Sequence, residues 1–140
     1  MSATTTNAAT NTNATTEAIN DGYEYIQYNQ RLRIIHSKQD DMYQMQSIIK
    51  SCNSNKPCKD WFRNQSSKEL LDELMGLGEF PSTENLYENR PNLPNELKGI
   101  YVHRLLVNHI AIWASPRYAV YIMKLLDSHF ERERQDLIEE

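Results

Sequence analysis

The stretch 104–114, RLLVNHIAIWA, constrains the fold more than any other part of this chain. It is almost continuously apolar, yet far shorter than the roughly 20 residues that a bilayer span requires. It therefore reads as a helix buried inside a core. Residues 99–103, GIYVH, read as a strand leading into it. Ser115-Pro116 closes it, an N-cap residue followed by a first-turn proline, so a last helix should start there. Tyr118, Ile122, Leu125, Leu126 and His129 fall on one face of that helix. The chain has 140 residues and is 39% hydrophobic, enough for one modest core and not two.

The N-terminal half carries weaker signals. Residues 1–20 are mostly Thr, Asn and Ala, with almost nothing to offset the entropy of ordering, and read as a disordered tail. YEYIQY at 23–28 and RLRIIH at 31–36 alternate as strands around Asn29-Gln30, which predicts a β-hairpin. Asp40 or Asp41 is a suitable N-cap for a helix over 41–52, with Met42, Met45, Ile48, Ile49 and Cys52 at helical spacing. Pro57 would open a short helix over 57–65. Ser66 begins a capping box with Glu69, opening a helix that buries Leu70, Leu71, Leu74 and Met75 and stops at Gly76 and Gly78. Residues 79–98, with Pro81, Pro91 and Pro94, read as a long loop, and 131–140 as a charged helical extension.

Several functions find little support. The N-terminus lacks the apolar core of a secretory signal, and two cysteines suit a reducing, intracellular setting. Cys52 and Cys58 are spaced too widely for a common zinc knuckle, and His103 and His109 would not share a helix face, so no metal site is expected. No glycine-rich phosphate loop, HExxH or GxSxG motif is present, so neither catalysis nor a cofactor is expected. The net charge of −4 hides an uneven distribution. Residues 31–68 hold eight bases against three acids, whereas 69–98 hold seven acids against two bases. A local basic patch can bind phosphates on an acidic chain. The helices over 41–52 and 57–65 would make a helix–turn–helix-like pair, with Trp61 and Phe62 anchoring the second while Lys59 and Arg63 share its outer face.

The segment GIYVHRLLVNHIAIWASPRYAVYIMKLLDSHF resembles the C-terminal half of the KilA-N domain. The matching elements are Tyr101-Val102-His103, then His109-Ile110-Ala111 and Trp113, then Ser115-Pro116. Upstream, KDWFRNQSSKELLDEL is similar to the family's basic-Trp-basic and Ser-Lys-Glu-Leu stretch, through Lys59, Trp61, Arg63, Ser67, Lys68, Glu69 and Leu70. The resemblance covers about residues 23–130. The chain departs from the pattern at Arg104, where proline is common, and at 43–46, where the family often has Ile-Asn-Ala-Thr.

The resemblance implies an α+β domain over 21–130, similar to the fungal APSES domain, with a β-hairpin, a helix–turn–helix-like pair and two C-terminal helices. It implies a DNA-binding protein of the type found in poxviruses, iridoviruses and phages, acting on double-stranded DNA in the host cytoplasm or nucleus. The helix over 57–65 would be the recognition helix, and the stretch before Gly99 a wing. The DNA-binding residues would be Lys50, Lys56, Lys59, Arg63, Asn64, Lys68, Arg90 and Lys98. The alternative is a viral protein-interaction module acting on a host factor, which the acidic stretch 79–96 and the acidic C-terminus favour.

Overall fold

The computed structural model describes residues 14–28 and 32–139. Residues 1–13, Arg31 and residue 140 lie outside it, as do Asn29 and Gln30, where the sequence predicts a turn. The order of elements is β1 (Thr15–Ala18), β2 (Tyr23–Gln27), β3 (Arg33–Ser37), β4 (Met42–Gln44), α1 (Met45–Ser51), α2 (Cys58–Arg63), α3 (Gln65–Gly76), β5 (Tyr87–Arg90), β6 (Gly99–His103), α4 (Arg104–Ala114) and α5 (Pro116–Glu139). The six strands form one antiparallel sheet in the order β1-β2-β3-β4-β6-β5. The fold is α+β, as the sequence predicts.

Strand alternation sorts side chains to the two faces of the sheet. Ile26, Ile34, Tyr43 and Val102 point to the main core, where they meet Ile48, Leu106, Ile110, Ile122 and Trp61. Ile35, Met42 and Tyr101 point the other way and are covered by Leu97, Leu93, Tyr23 and Tyr25. The apolar run 104–114 forms the helix α4, which packs against α1 and α5 and buries Leu106, Val107, Ile110, Ala111 and Ala114, but it is not buried all round: Leu105 and Ile112 are about half exposed on its other face. The Ser115 carbonyl accepts from Tyr118 N and Ala119 N at the corner into α5. Among the described residues no helix is long and apolar enough to cross a membrane.

Five local expectations need correction. Residues 14–20 are not a disordered tail: β1 pairs with β2, and buried Ala14 donates its N–H to Ser128 Oγ at 2.8 Å while Arg132 donates to its carbonyl. Backbone pairing with β2 and these two side-chain bonds from α5, not side-chain hydrophobicity, hold this segment. The helix over 41–52 is instead a strand followed by a helix, and Asp40 and Asp41 cap nothing. Asp41 takes φ 57°, and its carboxylate faces His36 and accepts from Tyr43. Gln44 stands at the start of α1 without a side-chain cap. Pro57 precedes the short helix α2 rather than opening it, and α2 is the six-residue span Cys58–Arg63 rather than 57–65. The cap of α3 is Asn64, whose Oδ1 accepts from Ser66 N at 2.8 Å, not a Ser66–Glu69 box. The predicted loop 79–98 contains β5, which pairs Tyr87 with Val102 and Arg90 with Gly99.

Candidate nucleic-acid interface

The structure sorts the predicted basic residues into three settings. The first is the outer surface of α2 and α3. Trp61 is fully buried, and its Nε1 donates to His109 Nδ1 at 3.0 Å, which locks α2 onto α4. With Trp61 turned inward, Lys59 and Arg63 lie on the exposed side of α2, one turn apart. Lys68 is exposed on the first turns of α3. Arg63 has only a loose ion pair, 3.9 Å from Asp60, and its side chain is 72% exposed. Lys59 and Lys68 make no ion pair among the described residues. The helix against which α2 packs most closely is α3, whereas α1 packs on α4, β3 and β6.

The second setting is a cleft of about 1120 Å³ lined by Lys50 at the end of α1 and Lys98 at the foot of the β5–β6 hairpin. Arg33 and Arg117 line it too, with Tyr25, Tyr28, Tyr118 and Tyr121; among the described residues Glu96 is its one acid. Arg33 stacks over the Tyr25 ring at 3.6 Å. The sequence reading did not assign Arg33 or Arg117 to the site. Arg117 lies in the Ser-Pro turn, which reads as a cap, and only the fold brings the start of α5 beside α1 and the hairpin.

In the third setting the side chain has a structural task. Arg90 is 14% exposed and donates to Glu88, Asp40, Tyr23 Oη and Ser37 Oγ, with its guanidinium over the Tyr101 ring. Burial works against its charge, but these partners outweigh burial and raise its pKa further. It braces β5 against β2 and β3 and is not available to phosphate. Lys56 Nζ donates to the Trp113 carbonyl at 2.8 Å, a cation on the C-terminal end of α4. Asn64 caps α3, so its Oδ1 is not free to read a base edge.

Both thiols are free, Cys52 buried in the core and Cys58 partly buried. Cys52 is buried and its pKa is pushed up to about 11 by burial, and burial also raises that of Cys58. A thiol held protonated is a poor nucleophile.

The KilA-N domain family matches residues 26–132. This chain belongs to the KilA-N domain family. The family is generally associated with viral DNA binding. A protein of Acanthamoeba polyphaga mimivirus described as KilA-N domain-containing is 40% identical over 68 residues, covering 49% of this chain and 19% of that protein. An uncharacterized protein of fowlpox virus (strain NVSL) is 28% identical over 125 residues, covering 85% of this chain and 79% of its own length. A second mimivirus protein described as KilA-N domain-containing is 26% identical over 125 residues, covering 86% of this chain and 35% of that protein. The chain thus spans a minor part of these mimivirus relatives. No solved structure matches it.

Proposed function

We propose that this KilA-N domain binds duplex DNA with low sequence specificity, as an intracellular binding protein rather than an enzyme. The observation that carries the reading is the trio Lys59, Arg63 and Lys68. They stand exposed on α2 and α3 with one loose ion pair among them, on a helix whose opposite side is anchored by Trp61. Cations held on a rigid element and lacking internal partners are suited to phosphate contacts, which fix position without reading sequence. Lys50 and Lys98, at the mouth of the tyrosine-lined cleft, extend the positive surface. Specificity is low because Asn64, the side chain here suited to an adenine edge, is engaged as a cap, leaving Lys59 and Arg63 on α2 as groups suited to guanine edges.

The test is a fluorescence-anisotropy titration with random duplex DNA at two salt concentrations. Each phosphate contact should add about 0.9 to the steepness of log K against log salt. The Lys59→Glu/Arg63→Glu variant should bind much more weakly and with a shallower slope. A flat salt response, or unchanged affinity in that variant, would overturn the proposal. Capture of a host protein that survives nuclease and ignores the double variant would favour the protein-interaction reading.

A further inference from the structure

On the helix-packed face of the sheet, a group of ionisable side chains has no part in the basic surface. Glu24 on β2 and His36 on β3 are cross-strand partners. His36 Nδ1 lies 2.7 Å from Glu24 Oε2, and its Nε2 lies 2.7 Å from Asp41 Oδ1. Asp41 Oδ1 also accepts from Tyr43 Oη at 3.0 Å. The His36 ring stacks on Tyr43 and meets the His129 ring of α5 edge-on, with centroids 5.9 Å apart. His36 and His129 are 6% and 5% exposed.

One donor atom from each of Glu24, His36 and His129 lies within 4.8 Å of the others. The independent sign of a missing partner is His129 Nε2, which is buried and makes no hydrogen bond among the described residues. Glu133 Oε2 is 3.4 Å away, but its side chain is 60% exposed and it does not satisfy that nitrogen. An orphaned ring nitrogen in a core is costly unless something else binds it.

We propose that Glu24, His36 and His129 form a divalent transition-metal site, with Zn²⁺ as the best-matched ion. Two imidazoles and one carboxylate are a known zinc donor set, with metal–ligand bonds of about 2.0–2.2 Å. Neighbouring donors on a tetrahedral ion stand roughly 3.4 Å apart on those bond lengths, so His36 Nδ1 and Glu24 Oε2, now 2.7 Å apart, open to admit the ion while His129 closes in from within the 4.8 Å cluster. The metal takes the place of the proton between Glu24 and His36 and gives His129 Nε2 its partner. Asp41 then acts as the outer carboxylate that orients His36 through its other nitrogen, an arrangement common around zinc-bound histidine. Water or Glu133 takes the fourth position. The ligands come from β2, β3 and α5, so the ion would clamp the N-terminal hairpin to the last helix. This inference does not depend on the DNA-binding reading.

The experiment uses the full chain, stripped with a chelator and titrated with Zn²⁺ by calorimetry and thermal unfolding, and with Co²⁺ by visible absorption. We expect one ion per chain, a Tm that rises with free Zn²⁺, and a tetrahedral Co²⁺ spectrum without a thiolate charge-transfer band. Glu24→Gln and His129→Gln should each weaken Zn²⁺ binding at least about tenfold, as should the positioning change Asp41→Asn. Cys52→Ser and Cys58→Ser should leave it unchanged. The proposal is overturned if Zn²⁺ does not bind, if Glu24→Gln and His129→Gln leave binding intact, or if thiolate bands appear. Should His129→Gln fail to fold, Glu24→Gln and the wild-type Co²⁺ spectrum decide the matter.

Discussion

Trp61 Nε1 donates to His109 Nδ1 at 3.0 Å, a bond between residues 48 positions apart. Because Nδ1 accepts, the other ring nitrogen carries the proton, and His109 Nε2 donates to Ser66 Oγ at 3.0 Å. One neutral imidazole thereby fastens both α2 and the start of α3 to α4. Lys59, Arg63 and Lys68, which carry the DNA-binding proposal, stand on the two helices that this ring holds.

That arrangement makes the α2–α4 junction sensitive to acid. Burial lowers the pKa of His109 below its ordinary 6.5, and a protonated Nδ1 could no longer accept from Trp61. With the folded value depressed, the stabilisation is complete above about pH 6.5 and is lost as pH falls through the folded value. His109→Gln keeps an acceptor and does not titrate. In urea unfolding it should lose less stability than wild type between pH 7 and pH 5. Equal losses in the two proteins would refute the assignment. The comparison is with wild type because His103 and His129 are also depressed by burial.

Ser67 offers the opposite case. Its hydroxyl is fully buried in α3 and has no hydrogen-bond partner among the described residues. Ser67→Ala removes an unsatisfied group and adds the better helix former. We expect a gain of about 1 kcal/mol in unfolding free energy. A loss of similar size in denaturant titration would show that the hydroxyl has a partner, such as a buried water.

Gly99, where the β5–β6 hairpin returns to the sheet, has φ 139°. A Cβ there would lie 2.5 Å from Gln46 Oε1. Gly99→Ala should cost about 1–3 kcal/mol from backbone strain and crowding together. Gln46→Ala in the same chain relieves the crowding and not the strain, so it should recover only part of the loss. Full recovery would mean that φ at this position is unimportant.

The β1 strand hangs on two residues of α5. Ser128→Ala removes the acceptor for Ala14 N, and Arg132→Ala removes the donor to the Ala14 carbonyl. The double variant should exchange the amides of the β1–β2 pairing many-fold faster while leaving Tm nearly unchanged, because β1 lies at the sheet edge with exposed side chains. Unchanged protection there would show that strand pairing alone secures the segment.

Most of the fold was legible where side-chain pattern and local chemistry agree. The strand 99–103, the helix 104–114 and the Ser115-Pro116 corner emerged as read, and so did the His129 face of α5, although helix 104–114 is buried on one face and not all round. Strands whose residues carry no apolar alternation did not. TTEA in β1 and YENR in β5 are held by backbone bonds to neighbours and, at Arg90, by ion pairs across the sheet. Asp41 looked like a helix cap because a short carboxylate before an apolar run usually is one. Its partner His36 lies five positions back, and the turn between them takes a left-handed residue that no periodicity announces.

The sequence by itself determined the family, the α+β class and the basic character of residues 31–68, because those depend on residue type and local order. Tertiary structure alone decided which charges are available. Lys59, Arg63 and Lys68 stay in solvent, while Arg90 is taken up by Glu88 and Asp40. Only the tertiary structure brings Glu24, His36 and His129 together. Their spacing along the chain carries no ligand signature, and the contact exists because α5 packs back across the first hairpin. Availability and proximity are properties of packing, and packing is set by the whole core rather than by any one segment.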